Sequence, residues 1–242
     1  MRIVGIIPAR LGSTRVSGKM LADINGKPVI QHTYEHAREA DLLDDLFVAT
    51  DSREIFEAVK GFGGKALMTS PDNRTGTDRV AEAARSIKCD IVVNIQGDEA
   101  FVRPEIISLA VKALEDDPEA VMGTVASPIT SEEDYLNRNV VKVAIGQNGR
   151  ALYFSRAPIP HTKSGEMVQG GPYYHHIGIY SYRHDFLIKF SELEQSILEK
   201  TESLEQLRAL ENDYVIKVEI TDRSAGKIDT HEDLDKARRM GC

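Results

Sequence analysis

The chain has 242 residues, of which 41% are hydrophobic and 28% charged, with a formal net charge of −8. That length can bury a large core, and the acidic balance excludes a general nucleic-acid or membrane-surface binder, whose attraction to phosphate needs a net basic face. The only cysteines, Cys89 and Cys242, form no CxxC or Cys/His cluster; a disulfide framework and a zinc site are not expected, and a reducing cytoplasm fits best.

No apolar run approaches the roughly 18 residues of a membrane span. The N-terminal apolar stretch is short and broken by Arg10, so a signal peptide is not expected. In chain order, "RIVGIIPA" reads as a buried strand. Pro28 can open a helix at its first position, with Val29, Ile30, Thr33, Tyr34 and Ala37 on one face. "LFVAT" is a second strand, followed by Asp51 as N-cap with Glu54 at capping-box spacing. "KALMT" is a third. The loop "SPDNRTGT" leads into a helix bearing Val80, Ala83, Ala84 and Ile87, and "DIVVNI" is a strand apolar enough to be covered on both faces. Pro104 opens a helix with Ile106, Ile107, Ala110, Val111 and Leu114 inward.

The fourfold strand–helix alternation predicts an α/β fold with a mostly parallel sheet flanked by helices. Beyond about Val121 the rhythm changes. "VMGTVASPI", "VVKVAI", "ALYFS" and "HHIGIYSY" are strands, with a turn at Asn148-Gly149, and antiparallel pairs are expected. A helix over "ESLEQLRALEN", the strand "YVIKVEI" and a capped helix at "THEDLDKARR" complete the chain. One domain over 1–242 with an inserted smaller antiparallel subdomain at about 121–212 is the first organisation; two independent domains is the second.

"PARLGSTRVSGK" follows the first strand and gathers Arg10, Arg15 and Lys19 with two glycines and no acid. Open parallel sheets bind ligands at the carboxyl ends of their strands, and such a loop offers backbone N–H groups and cations to an anion. It is not a P-loop: five residues separate Gly12 from Gly18, and Met20 stands where a Ser or Thr would hold magnesium. The dinucleotide fingerprint GxGxxG is absent too. A polyphosphate site is one reading; a solvated loop with incidental charge is the other. "QGDEA" places Asp98 and Glu99 at another strand's carboxyl end, where an aspartate beside a phosphate loop suggests Mg2+. Asp229, in "KIDTHEDL", is a candidate partner, or else a turn residue with Thr230 as the helix cap.

The blocks "IIPARLGSTRVSGKMLADINGKPVIQH", "VATD", "MTSPDNRTGTDR", "VNIQGDE", "VVKV", "ALYFSRAPIP", "HIGIYSYR", "LEQLRALEN" and "IDTHEDL" occur in the order seen in the 3-deoxy-manno-octulosonate cytidylyltransferases. The chain resembles that family over essentially its whole length. The resemblance implies the nucleotide-diphospho-sugar transferase fold, a homodimer and a Mg2+-dependent reaction. CTP and 3-deoxy-D-manno-octulosonate (Kdo) would give CMP-Kdo and pyrophosphate for lipopolysaccharide biosynthesis. A related sugar acid, such as 8-amino-Kdo or a neuraminate, is the alternative substrate.

By the same resemblance, Arg10, Arg15 and Lys19 would hold the phosphates of CTP. Ser70 and Arg74 would lie near cytosine and ribose, and Gln96 between nucleotide and sugar. Asp98 and Asp229 would bind Mg2+; with Lys19 they form the catalytic set. Arg156 would take the Kdo carboxylate, and His176, Tyr180, Glu205 and Gln206 would contact its hydroxyls. Taken alone, each has a plainer reading. His176 and Tyr180 could be core residues, Glu205 a solvated helix charge, and Arg156 a strand cap. The family loop commonly reads Leu-Pro-Gly-Lys-Pro-Leu. Here it is Val16, Ser17, Gly18, Lys19, Met20, Leu21, and Ala100 and His175 replace a usual proline and a frequent Arg or Lys.

Overall fold

The computed structural model describes residues 1–12, 18–222 and 231–239. The chain divides into two compact units, Met1–Ser108 with Ala225–Cys242, and Leu109–Ser224.

In the first unit, β1 (Ile3–Ala9) is buried along its whole length. A 3-10 turn at Lys19–Leu21 and the paired short strands β2 (Asp23–Ile24) and β3 (Lys27–Pro28) lead into α1 (Val29–Arg38). Then come β4 (Asp45–Thr50), α2 (Arg53–Gly61), β5 (Ala66–Met68), α3 (Gly76–Ala84) and β6 (Ile91–Asn94). Strand β1 pairs in parallel with both β4 and β6, and β4 with β5, so the sheet order is β6-β1-β4-β5. The continuous apolar runs of β1 and β6 are what a parallel strand covered on both faces requires. The helix α4 (Pro104–Asp116) begins in this unit and ends in the next.

In the second unit, β7 (Met122–Pro128) is followed by α5 (Glu132–Leu136), β8 (Lys142–Ile145), β9 (Ala151–Ser155) and β10 (Tyr174–Arg183). The helices α6 (His184–Glu192), α7 (Ile197–Glu202) and α8 (Leu207–Glu211) precede β11 (Ile216–Ile220). The expected antiparallel pairs are present: β10 with β7 and β8, and β8 with β9. Strand β11 joins β7 in parallel. Gly149 takes φ 75° in the turn between β8 and β9, a left-handed conformation that suits glycine. Beyond this unit, α9 (His231–Arg239) returns to the first, where Leu234 packs with Ile24, Val29 and Ala100.

Three local expectations need correction. The cap of α2 is Ser52, whose hydroxyl accepts from Ile55 N–H; Asp51 is instead in an ion pair, its Oδ2 2.9 Å from Arg79 Nη2. Pro28 is extended and stands one place before α1, as its N-cap. Of the single helix expected over "ESLEQLRALEN", only Leu207–Glu211 is helical, as α8, while Glu202 is the last residue of α7. Ser203 turns left-handed at φ 54°, and Leu204 N–H bonds back to Glu199 O, which closes the helix end. Leu204 and Leu207 are buried all the same, one from the turn and one from α8.

Candidate active site

In the first unit the site grows from the ends of β1 and β6. After β1 the described chain resumes at Gly18, whose φ of 66° lets it start the Lys19–Leu21 turn. Gly97 lies against the end of β1: a Cβ there would stand 2.8 Å from Pro8 O and 3.0 Å from Met20 Sδ. Only glycine permits that approach. Thr33 Oγ1, on α1, donates to Gly97 O at 2.9 Å and fixes the same segment from the other side. The result brings together two residues 79 apart in sequence: Lys19 Nζ donates to Asp98 Oδ2 at 2.8 Å, with both side chains largely buried. Arg10, one residue past β1, is exposed.

Gln96 leaves β6 beside the start of α3. Its Oε1 is 3.7 Å from where a Cβ on Gly76 would be, and its Nε2 donates to Asn94 Oδ1 at 3.2 Å. Asn94 in turn reaches Thr77 Oγ1 at 3.3 Å. The helix opens with a full capping box between Thr75 and Asp78. Ahead of it, the Ser70–Arg74 loop is tied down by Glu82. The Glu82 carboxylate accepts Ser70 N–H on both oxygens, at 2.9 and 3.0 Å, and Asn73 Nδ2 at 2.5 Å. Buried Arg79 supports the loop from below, donating to Thr69 Oγ1 at 2.6 Å. Ser70 Oγ faces Asp72, while Arg74 is exposed with no hydrogen bond or ion pair among the described residues.

In the second unit, β10 carries His176 and Tyr180, with ring centroids 5.3 Å apart. The β10–β7 register shifts between Ile177 and Tyr180, and Thr124 on β7 repairs the irregularity: its hydroxyl lies 2.8 Å from Ile179 O and 3.0 Å from His176 Nε2. A hydroxyl has one proton to give. With that proton on Ile179 O, His176 Nε2 must be the donor to Thr124 Oγ1, which leaves Nδ1 with its lone pair. Burial pushes the His176 pKa down to about 3, so the ring is neutral at physiological pH. Burial raises the Tyr180 phenol above its ordinary value, with Tyr182 and Glu205 adding to the shift.

Arg156, just past β9, is gripped by carbonyls. Nε donates to Glu202 O at 2.8 Å, Nη1 to Arg138 O and Nη2 to Ser203 O, each at 3.3 Å. No carboxylate among the described residues forms an ion pair with it. Glu205 and Gln206 occupy the turn between α7 and α8. That turn is locked by Arg208, which makes two 2.7 Å contacts to Glu199 and stacks 4.8 Å above Phe190. Gln206 is buried, and its Nε2 finds no hydrogen-bond partner among the described residues. A buried amide donor left unpaired costs about 1–3 kcal/mol and asks for an acceptor.

The structure therefore brings together Lys19 and Asp98, places Gln96 at the start of α3, and groups His176 with Tyr180. Arg15 and Asp229 lie outside the described residues. Among the described residues no group of three or more His, Cys, Asp or Glu side chains is arranged to hold a metal; the Asp98 carboxylate, paired here with Lys19, is a hard oxygen donor of the type that Mg2+ takes. Sequence reasoning missed Asp51, Arg79, Glu82, Lys142 and Glu202, which support the site rather than face it. The signal for Lys142 was a charge inside the apolar run "VVKVAI".

Residues 4–220 match the Cytidylyltransferase family. The chain is 51% identical to the 3-deoxy-manno-octulosonate cytidylyltransferase of Syntrophobacter fumaroxidans, covering 97% of this chain and 95% of that one. It is 47% identical to the enzyme of the same name from Acaryochloris marina, over 98% and 96%. Among solved structures, a CMP:2-keto-3-deoxy-manno-octonic acid synthetase complexed with CTP superposes with a TM-score of 0.93 at 40% identity, covering 99% and 98%. The chain belongs to the cytidylyltransferase family, within the group of 3-deoxy-manno-octulosonate cytidylyltransferases. Its fold is that of the nucleotide-diphospho-sugar transferases.

Proposed function

We propose that the chain transfers CMP from CTP to Kdo, releasing pyrophosphate. The likeness to the CTP-complexed synthetase over nearly the whole chain carries the reading, and the chemistry of the residues agrees with it. The anomeric hydroxyl of the sugar acid attacks the α-phosphorus in line. The new O–P bond forms as the bond to the β-phosphate oxygen breaks, and the hydroxyl proton is lost to solvent. Lys19 and Arg10, with Arg15, offset charge on the departing pyrophosphate. Ser70, Arg74 and Gln96 orient the nucleoside. Asp98 and Asp229 would hold Mg2+, which supplies charge neutralisation at the α-phosphate when bound.

On the sugar side, the hydrogens that Arg156 keeps on Nη1 and Nη2 suit a planar carboxylate. Gln206 Nε2 gives its unused hydrogens to a sugar hydroxyl, and His176 Nδ1 accepts from another. Tyr180 and Glu205 complete the polar lining. We take the working form to be a homodimer in the cytoplasm, where the nucleotide pool lies and where cysteine usage fits; among the described residues no helix is long and apolar enough to cross a membrane.

The test is pyrophosphate release by the purified protein with CTP and Kdo, with CMP-Kdo identified by mass. Turnover that is lost with EDTA and restored by Mg2+ is expected. Turnover with another sugar acid, such as 8-amino-Kdo or a neuraminate, and none with Kdo would overturn the choice of substrate. Elution of the active protein at monomer mass would remove the homodimer.

A further inference from the structure

Lys142 is fully buried in β8, yet no carboxylate forms an ion pair with it among the described residues. Its ammonium spends its three hydrogens on backbone carbonyls: Asn137 O at 2.9 Å, Val140 O at 2.6 Å and Arg156 O at 2.8 Å. Burial lowers its pKa from the ordinary value for lysine, in keeping with a charge withdrawn from water. A buried cation is expensive unless every hydrogen is used, and a methionine of similar shape would fill the same core at no such cost. The position therefore serves something besides packing.

What it serves is visible from the other side of the same residue. Glu202, the last residue of α7, accepts Arg156 N–H on Oε2 at 2.9 Å and Ser155 Oγ on Oε1 at 2.6 Å. The backbone of Arg156 is thus held at its N–H by a carboxylate and at its C=O by an ammonium. The main-chain carbonyls of Glu202 and Ser203 then take the guanidinium at Nε and Nη2. Main chain and side chain are both fixed, and neutral carbonyls rather than an ion-paired carboxylate receive the guanidinium. Charged partners make stronger and more directional hydrogen bonds than neutral ones, which is what holding a fork to within a fraction of an ångström demands.

We propose that Lys142 and Glu202 are positioning residues that pre-set Arg156 for the carboxylate of the sugar acid, so that this end of the site selects sugar acids by a rigid cation. The proposal rests on the reading of Arg156 as the carboxylate ligand. Both residues bond to the Arg156 main chain, so their loss is expected to act through the sugar and not through CTP.

The experiment is steady-state kinetics on the full chain with CTP, Mg2+ and Kdo, following pyrophosphate. Glu202→Gln keeps the shape and removes the charge-assisted grip; Lys142→Met removes the ammonium. Both are expected to raise KM for Kdo about tenfold or more, the size of one lost charge-assisted hydrogen bond. KM for CTP should stay within about twofold. If Lys142→Met does not fold, Glu202→Gln carries the test alone. A folded Glu202→Gln with unchanged KM for Kdo overturns the proposal, as does an equal rise in both KM values, the mark of general loosening. Arg156→Ala separates the two levels. If it raises KM for Kdo while Glu202→Gln does not, only the positioning role falls; if it leaves KM for Kdo unchanged, the carboxylate reading falls and the proposal with it.

Discussion

The two units prepare for their ligands in opposite ways. In the first, the charged groups proposed for CTP are exposed cations, Arg10 and Arg74, and the Lys19–Asp98 ion pair. A phosphate and a metal ion would have to divide that pair between them. In the second, the groups are settled before any ligand arrives. His176 Nε2 lies against Thr124 Oγ1, Arg156 is gripped by three carbonyls, and the Gln206 turn is locked by Arg208 and Glu199. On the proposed assignment, the nucleotide end would depend on exchange of partners and the sugar end on preorganisation. Strong charge suits a triphosphate, which any nucleoside triphosphate supplies; discrimination among sugar acids needs fixed donors. The same carboxylate device recurs in both: Glu82 anchors a loop through Ser70 N–H, and Glu202 anchors one through Arg156 N–H.

The largest effect tests the exchange directly. Asp98→Asn keeps the shape but loses the charge that both Lys19 and a metal ion require, and kcat should fall by about a thousandfold. Turnover that keeps both its rate and its Mg2+ dependence would remove Asp98 from the catalytic set. Lys19→Met comes next. Loss of one cation on the phosphates should lower kcat/KM for CTP by about a hundredfold, with KM for Kdo little changed. A rise confined to the Kdo side would reverse the assignment of the two units.

The sheet was legible because its signals are strong and local. "IVGIIPA" and "IVV" are short apolar, largely β-branched runs of the kind a strand covered on both faces carries, and the helical spacing in α4 buries each residue it predicts. The pairing of Lys19 with Asp98 was legible only as two strand-end motifs; their meeting depends on Gly97, whose need for a bare backbone is a tertiary fact. The break at Ser203 was hidden for a similar reason. Nothing in "ESLEQLRALEN" forbids a continuous helix, and the left-handed turn is set by packing around Arg208 and Glu199. Asp51 was a good cap by type, but Ser52 caps the helix, and Arg79, 28 residues on, takes the Asp51 carboxylate. Such supports are invisible until the chain has folded, since their reason lies in a partner far along it.

A smaller effect sharpens the preorganised side. Gln206→Leu exchanges a buried, unpaired amide for a hydrocarbon of similar size. KM for Kdo should rise about tenfold, while the melting temperature holds or increases, because the unsatisfied donor disappears from the free protein. A preorganised site shows this trade of stability for recognition. A drop in melting temperature with unchanged KM would mean that Gln206 serves the core instead.

A last effect concerns stability alone and follows from His176. Its folded pKa of about 3 lies below the ordinary value of 6.5 because of burial. Between those two values the unfolded chain binds a proton at this position that the folded chain does not. Stability is therefore greatest above about pH 6.5 and falls as the pH drops towards 3, by up to about 1.4 kcal/mol per pH unit. For a chain of this size that corresponds to roughly 3–5 °C in Tm for each unit below pH 6. His175, also shifted downward by burial, adds to the same slope. His176→Asn retains an N–H for Thr124 and cannot titrate, so its melting temperature should depend less steeply on pH between 6 and 4 than that of the parent chain, whatever its absolute value. Parallel pH profiles for the two proteins would show that the ring is not held neutral in the folded state. It would then be free to carry charge beside Tyr180, and the sugar end would depend on exchange just as the nucleotide end does.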